Sequence, residues 1–479
     1  MASGEFSGAP YISSLGGHIP HCRNFRAVNE AAEVHSAKVI SRRQVCSLFA
    51  KTGMASVLTT LPLCDLAQGS TTSITGKDVP ALRDFDTLLL DYLKRNKSIP
   101  GASLAMSRDG RIIYARGFGC ADLDTREAVE PDSLFRIASV SKTFTSAAIM
   151  VLVQRGRLKL SDPAFLLLDI HVPLDKKSQM DTRLNTITIH HLLCHTGGWA
   201  RGSAKNPFET WTGFDPMFFP VEIAQSLGVP SPAGPAEIVR FMTTRPLDFD
   251  PGTRYAYSNF GYCVLGRVIE KVSGVSYGEF VRTELLQPLG IQDARLGKSL
   301  LSGRAAQEVH YYPSGDKRPN SRNVFGGPDV QWCYGGFELE AMDSHGGWIA
   351  TPSDLVRFAA SLEVPTRLGP LDAESIQRMF ERPAETGYAA NGVELSDYYA
   401  YGWHVQSTVP EGREEWHDGL FGGTSALVMR RRDGIVWALT FNTENDDNKQ
   451  VPSEALAPRI NQLADSIRRW PASQPARCE

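Results

Sequence analysis

The sequence is short of three features that would each point to a class of protein. Positive charge is not in excess, because 50 lysines and arginines face 53 aspartates and glutamates and the formal net charge is −3. A surface that follows a nucleic-acid backbone is therefore not expected. No uninterrupted apolar run reaches the roughly 20 residues that a bilayer-spanning helix needs, so no stable membrane span is predicted. The 479 residues and 42% hydrophobic content nevertheless suffice for a large buried core.

Closely spaced cysteine pairs are also missing. None of the eight cysteines forms a C-x-x-C pair, so neither a zinc ribbon nor a disulfide-stapled scaffold is predicted. Most of them are expected to be small buried side chains. They lie at Cys22, Cys46, Cys64, Cys120, Cys194, Cys263, Cys333 and Cys478.

The N-terminal extension, residues 1–70, is rich in Gly, Ser and Thr and is expected to lie outside the folded domain. Within it, residues 41–69 carry Arg42-Arg43 followed by a mildly apolar segment, which is similar to a twin-arginine export signal. No A-x-A cleavage site follows the arginine pair. We expect a periplasmic or otherwise exported location, with a cytoplasmic location as the alternative.

Residues 78–465 have the pattern of one domain, followed by a C-terminal tail at 466–479. Asp109-Gly110 and Asp433-Gly434 each separate two strand-like runs, which is a strong hairpin signal. Helical patterns lie between these two predicted hairpins, at 140–153, 187–193, 235–242, 260–272, 277–286 and from Thr351 onward. Terminal strands that enclose a helical middle predict an α+β sandwich, in which an antiparallel sheet built from both chain ends is flanked by helices and carries a helical insertion.

An insertion at residues 199–235 interrupts this order with six prolines and six aromatic residues. A loop of this length and composition typically forms a pocket wall or a lid. The alternative is a surface excursion packed on its own aromatic side chains. The aromatic residues are Trp199, Phe208, Trp211, Phe214, Phe218 and Phe219.

The first candidate for chemistry is Ser139, which forms an S-x-x-K pattern with Lys142 at the start of an apolar helix. Three-residue spacing places both side chains on one helix face, so the amine can reach the hydroxyl. Serine needs an adjacent base to act as a nucleophile, and lysine is such a base when burial lowers its pKa. Ser314 and Lys317 have the same spacing but lie in a loop with no helix behind it.

Two further segments supply the remaining candidates. Tyr257 precedes the helix at 260–272, and its phenol can shuttle a proton if the lysine charge lowers its pKa, while Asn259 can hold the amine and a substrate carbonyl. His417 and Gly419 lie on a strand edge, where glycine permits close approach of a ligand and the amide of Leu420 can act as an oxyanion donor beside that of Ser139.

The order S-x-x-K, Y-x-N, H-x-G resembles the serine β-lactamase and penicillin-binding-protein superfamily, above all its class C branch and the related family VIII carboxylesterases. The segments Leu192–Gly198, Phe249–Gly252, Tyr257–Tyr262 and Gly346-Gly347 support this resemblance. It implies a β-lactamase/transpeptidase-like fold, Ser139 as the acylated nucleophile, Lys142 and Tyr257 as the acid–base pair, Asn259 as a positioning residue, and the amides of Ser139 and Leu420 as the oxyanion hole.

The third motif departs from the family pattern. Members that handle β-lactams commonly carry Lys, then Thr or Ser, then Gly, whereas this chain has His417-Asp418-Gly419. A permanent cation is replaced by a group that is mostly neutral at pH 7, and a hydroxyl is replaced by a carboxylate. Substrates with a free carboxylate should bind less well, which favours neutral or amine-bearing substrates.

Three other motifs are interpreted as structural. Ser276 fits G-x-S-x-G, but a helix precedes it, and a capping box with Glu279 is the expected role. Lys51-Thr52-Gly53 spells the missing K-T-G but precedes Ser139 and lies in the candidate signal. The histidines His190, His191 and His195 have no further ligand at zincin spacing.

We therefore predict a serine hydrolase that needs no metal or cofactor and forms an acyl-enzyme. The favoured activity is that of a carboxylesterase on short neutral acyl esters. The alternatives are a class C-like β-lactamase, a D-alanyl-D-alanine carboxypeptidase or D-aminopeptidase, and a non-catalytic relative that binds an acyl ligand. The expected partner is a small-molecule ester or amide, and the sequence leaves the oligomeric state open.

Overall fold

The computed structural model describes residues 72–170, 180–202, 204–209, 213–313, 320–363, 369–388, 392–408 and 412–471. The predictions about the export segment, Lys51-Thr52-Gly53, Ser314, Lys317 and Trp211 lie outside the described residues.

The described part of the chain is organised around an eight-stranded antiparallel sheet with the strand order β3-β2-β1-β13-β12-β11-β10-β9. Strands β4, β8 and β5 form a small second sheet, and β6 pairs with β7. The strands are β1 (Gly101–Arg108), β2 (Arg111–Asp122), β3 (Glu127–Ala128), β4 (Phe135–Arg136), β5 (Arg295–Leu296), β6 (Asn320–Ser321), β7 (Val330–Gln331), β8 (Trp348–Ala350), β9 (Asp397–Tyr399), β10 (His404–Thr408), β11 (Gly412–Phe421), β12 (Thr424–Arg430) and β13 (Ile435–Phe441).

The α-helices of the described residues occupy both faces of this sheet. They are α1 (Arg83–Arg95), α2 (Ser141–Gln154), α3 (Ala164–Leu168), α4 (Ile189–Leu193), α5 (Pro220–Leu227), α6 (Pro235–Met242), α7 (Asn259–Ser273), α8 (Tyr277–Val281), α9 (Pro352–Ala360), α10 (Ala373–Met379) and α11 (Pro452–Ser466). A π-helical turn, Arg282–Leu286, extends α8.

The central strands are buried on both faces, which explains their nearly continuous apolar sequences. In β1, Ala105 belongs to the core under the helical region, whereas Leu104 and Met106 belong to a second core shared with α1 and α11. Successive strand residues point to opposite faces of a sheet. Each central strand therefore has to supply apolar side chains to two layers.

The pairing of β1 with β13 confirms the predicted sheet, which is built from the two ends of the domain. At the predicted β1–β2 hairpin, Asp109 and Gly110 both have positive φ, 53° and 71°, as a type I′ turn requires. The α+β class and the helices of the middle region are likewise confirmed. Helices α1, α3, α5, α10 and α11 were not predicted, and α5 lies within the insertion that was expected to be a loop. Of these, α1 carries apolar residues at helical spacing from Phe85 to Leu93.

Two expectations about composition can be compared with the described residues. Cys194, Cys263 and Cys333 are buried free thiols, whereas Cys120 is disulfide-bonded, which the sequence analysis did not predict. Within the described ranges no helix combines the length and the apolar character needed to cross a bilayer.

Candidate active site

The position of Ser139 is set by an abrupt transition from strand to helix. Strand β4 is anchored on both sides, because Thr424 Oγ1 donates to Arg136 O at 2.8 Å and Ile137 N donates to Trp348 O at 3.0 Å. Ala138 then adopts φ 45°, a left-handed conformation that costs a non-glycine residue about 1–2 kcal/mol. Ser139 follows in a 3₁₀ turn, Ala138–Val140, directly before α2, so its half-buried hydroxyl lies at a helix entrance.

The Lys142 amine lies at the centre of a buried polar cluster. Its Nζ is 3.0 Å from Ser139 Oγ, and it donates to Asn259 Oδ1 and to the backbone carbonyl of His345, both at 2.8 Å. The side chain is completely buried. Burial lowers the pKa of Lys142 well below its usual value, and the charge of Arg201 lowers it further. The neutral amine that a base requires is therefore favoured.

Tyr257 lies against the same amine. Lys142 Nζ is 4.8 Å from the centroid of the Tyr257 ring, and the ring packs on His195 with a centroid separation of 4.3 Å. Burial raises the pKa of Tyr257 well above 10, although a hydrogen bond with Ser139 acts in the opposite direction. The expected lowering of this pKa by the lysine charge is not found, because burial dominates the shift. The protonated phenol is therefore favoured.

Asn259 begins α7, where Ser258 caps the helix by accepting a hydrogen bond from Gly261 N at 3.1 Å. Besides its contact with Lys142, Asn259 donates from Nδ2 to Asp215 Oδ2 at 2.7 Å. Asp215 also forms an ion pair with Arg201, in which Nε lies 3.2 Å from Oδ2. Both charged residues come from the insertion at 199–235, and the sequence analysis identified neither of them.

Strand β11 reaches the nucleophile through Gly419. A Cβ atom placed on Gly419 would lie 2.2 Å from Ile137 O and 3.2 Å from Ser139 N. Any side chain at this position would therefore push the strand away from the serine. Leu420 follows on the same strand with an exposed side chain.

The His417 ring makes its hydrogen-bond contacts with Tyr399 and with its own strand. It is buried, its Nε2 is 3.0 Å from the hydroxyl of Tyr399, and its Nδ1 is 2.6 Å from Asp418 O. Burial lowers the pKa of His417 to about 3, so the ring is neutral. The Asp418 side chain is 37% exposed, and its Oδ1 lies 3.9 Å from His404 Nε2.

The aromatic insertion packs both on itself and beside the site. The ring of Phe214 lies near those of Phe208 and Phe219, with centroids 6.0 and 5.4 Å apart. A cavity of about 150 Å³ opens next to Asn259. Residues Trp199, Arg201, Phe214, Asp215, Met242 and Phe260 are among those that line it. Part of the insertion therefore forms a pocket wall, and part of it packs on its own aromatic side chains, so each of the two interpretations describes a part.

Two of the histidines considered as metal ligands, His190 and His195, make protein contacts. His190 contacts the hydroxyl of Tyr401 at 2.7 Å and the carboxylate of Glu385 at 3.0 Å, and His195 Nδ1 accepts from Ser258 N at 3.2 Å. Among the residues that the structure describes, no group of three or more His, Cys, Asp and Glu side chains could hold a metal ion.

Ser276 caps α8 by accepting from Glu279 N at 3.4 Å. The reciprocal half of the predicted capping box is not formed, because both carboxylate oxygens of Glu279 bind Arg282.

A serine and a lysine at the entrance of a helix, beside an antiparallel sheet whose edge carries an H-x-G segment, define a serine hydrolase of the β-lactamase and penicillin-binding-protein superfamily. The family model described as Beta-lactamase matches residues 85–458, and the chain belongs to this family.

Known relatives include both penicillin-binding proteins and esterases. The chain is 26% identical over 364 residues to penicillin-binding protein 4* of Bacillus subtilis, which covers 75% of this chain and 72% of that protein. It is 32% identical over 211 residues to esterase EstB of Burkholderia gladioli, which covers 43% of this chain and about half (49%) of the esterase. The crystal structure of D-amino acid amidase from Ochrobactrum anthropi has the same fold, with a TM-score of 0.59 and 20% identity, and the match covers 81% of this chain and all (100%) of that chain.

Proposed function

We propose that the protein is a carboxylesterase that hydrolyses short, neutral acyl esters through an acyl-enzyme on Ser139. One observation carries the choice of substrate: on the strand beside the serine, His417 is neutral with both ring nitrogens engaged, and the carboxylate of Asp418 is partly exposed. A substrate carboxylate at this strand would meet negative charge. The 32% identity to an esterase over 211 residues supports the same choice.

The cation Arg201 does not reverse this argument. Its guanidinium lies against Asp215, so its charge is already balanced within the insertion. A carboxylate-bearing substrate would have to compete with that ion pair.

The contacts of the buried cluster suggest the route of the proton. The neutral Lys142 amine takes the proton of Ser139 Oγ as the oxygen attacks the acyl carbon, and the carbonyl oxygen becomes an oxyanion that the amides of Ser139 and Leu420 stabilise. The phenol of Tyr257 then gives its proton to the leaving alkoxide and recovers one from Lys142, which leaves an acyl-enzyme and a free alcohol. Attack by water along the reverse route releases the acid and regenerates Ser139.

The proposal is tested by comparing p-nitrophenyl butyrate with the β-lactam nitrocefin, with Ser139→Ala as the blank. We expect kcat/KM to be at least about 100-fold higher for the ester, a difference of about 3 kcal/mol in transition-state stabilisation. Efficient turnover of nitrocefin with negligible ester hydrolysis would overturn the proposal.

A second candidate is hydrolysis of amides or esters that carry a free amine, and Asp418 is the observation that favours it. Asp418 lies near enough to Lys142 for its charge to act on the amine, and a partly exposed carboxylate there can pair with a substrate ammonium group. A D-amino acid amidase shares this fold. Faster hydrolysis of D-phenylalaninamide than of uncharged esters would place this candidate first.

A further inference from the structure

We infer that Asp215, supplied by the insertion, is a positioning residue that fixes the orientation of the Asn259 amide against Lys142, and that Arg201 holds Asp215 in this place. The inference rests on the proposed function, because it assigns a role in the same site. It makes the insertion part of the catalytic apparatus.

The contacts of Asp215 leave its carboxylate little freedom. Oδ2 accepts from Asn259 Nδ2 at 2.7 Å and lies 3.2 Å from Arg201 Nε, while Oδ1 accepts from Met217 N at 3.2 Å. The side chain is buried, with an exposure of 8%. A buried carboxylate held by a backbone amide, a side-chain amide and a guanidinium is a rigid acceptor.

Only one orientation of the Asn259 amide suits this acceptor. An ionised carboxylate can only accept hydrogen bonds, so it selects the amide nitrogen of Asn259 whatever the protonation state of Lys142. The amide oxygen is then forced toward Lys142 Nζ, at the observed 2.8 Å. Without Asp215, a neutral amine could accept from the amide nitrogen as well as donate to the oxygen, and both orientations would be populated.

The two members of the ion pair act on Lys142 with opposite sign. Asp215 and Asp418 favour the protonated amine, whereas Arg201 disfavours it. The other titratable groups around the amine are His195, His345 and His417, whose pKa values burial lowers so that they stay neutral, and the protonated phenols of Tyr257 and Tyr262. Loss of Asp215 should therefore lower the pKa of Lys142, and loss of Arg201 should raise it.

The test measures kcat, KM and the pH dependence of kcat/KM with p-nitrophenyl butyrate for Asp215→Ala, Asp215→Asn and Arg201→Gln. We expect kcat of Asp215→Ala to fall about 10- to 100-fold, with KM changed less than about threefold, because the chemistry and not the binding loses its geometry. Asp215→Asn should lose less, because its amide oxygen can still accept from Asn259.

The acidic limb of the pH profile supplies a readout that a merely structural role would not move. It should shift to lower pH in both Asp215 variants and to higher pH in Arg201→Gln, by about 0.5 pH unit or more. Asp248→Asn is the matched control, because Asp248 lines the same cavity but binds Ala200 N at 2.7 Å. Its profile should match that of the unmodified protein.

Two controls separate the possible failures. Circular dichroism and thermal unfolding show whether each variant is folded, and if Asp215→Ala does not fold, the opposite shifts of Asp215→Asn and Arg201→Gln still decide the question. If hydrolysis by the unmodified protein does not depend on Ser139, the proposed function fails. If it does, and both of these variants behave like Asp248→Asn, only the role of Asp215 is refuted.

Discussion

The two walls that flank Ser139 use their polar groups differently. On the helical wall, Lys142, Asn259 and Asp215 are buried and bound to one another. On the strand wall, His417 is buried and bound to the hydroxyl of Tyr399, and the adjacent Asp418 carboxylate is partly open to solvent. Side chains that are desolvated and fixed are placed to move a proton, whereas a partly exposed charge attracts or repels a substrate. We therefore expect the polar side chains of the helical wall to set the rate and those of the strand wall to set the preference among substrates.

Replacement of Lys142 should have the largest effect. Lys142→Met keeps most of the buried volume but removes the base, and we expect kcat/KM to fall by about 10³–10⁴ for neutral and charged esters alike. Steady-state kinetics on both kinds of ester checks this. A loss confined to one kind would show that the amine recognises the substrate.

Removal of the Tyr257 hydroxyl should be the next most severe change. Tyr257→Phe retains the ring contacts with Lys142 and His195, and we expect kcat/KM for an alkyl ester such as methyl butyrate to fall about 10²–10³-fold because the leaving alkoxide loses its proton donor. Tyr255→Phe is the control, since that ring also packs near His195, at 5.9 Å, but is more exposed. Equal losses in both variants would contradict a proton-transfer role for Tyr257.

The contact between the two walls can be opened by Gly419→Ala. The added methyl group would lie 2.2 Å from Ile137 O, so β11 must shift and the amide of Leu420 with it. We expect a loss in kcat of about 10- to 100-fold, as for a weakened oxyanion hole. Gly202→Ala, where a Cβ meets nothing within 4 Å, should leave kcat unchanged, and a similar loss in both variants would point to general destabilisation.

The smallest effect should come from the strand wall itself. The test compares two esters that differ only in an ammonium group, D-phenylalanine methyl ester and methyl 3-phenylpropanoate. We expect Asp418→Asn to lower the ratio of their kcat/KM values, charged ester over neutral ester, by about fivefold, which corresponds to roughly 1 kcal/mol. Added salt should reduce the difference. An unchanged ratio would remove Asp418 from substrate selection.

A related expectation concerns pH. Because burial lowers the pKa of Lys142, the amine is neutral above that pKa and protonated below it. We expect kcat/KM to fall as the pH drops through this value and to stay level above it until other groups titrate. A profile that instead rises only near the usual lysine pKa of about 10.4 would show that the amine is not depressed.

The residues that the sequence identified are those whose geometry is local. The three-residue spacing of Ser139 and Lys142 is enough to bring their side chains together at the start of a helix. Tyr257 and Asn259 needed the order of the family motifs, since 118 residues separate Ser139 from Tyr257. The antiparallel sheet was predictable for the same reason, because its hairpins are marked by Asp109-Gly110 and Asp433-Gly434.

The residues that the sequence analysis missed owe their position to tertiary contacts. Asp215 lies in a loop whose path no short-range pattern defines, and Tyr399 meets His417 only across β10. His345 contributes a backbone carbonyl, which any residue could supply. The direction of the Tyr257 pKa shift could not be predicted from the sequence either, because it depends on how deeply the phenol is buried.

The central claim is that Ser139 is the nucleophile activated by Lys142, and covalent labelling tests it most directly. The protein is treated with a fluorophosphonate at neutral pH, and the modified peptide is mapped by mass spectrometry. We expect a single adduct on Ser139, absent in Ser139→Ala and formed at least about 100-fold more slowly in Lys142→Met. An adduct on another serine, or undiminished labelling without Lys142, would contradict the account.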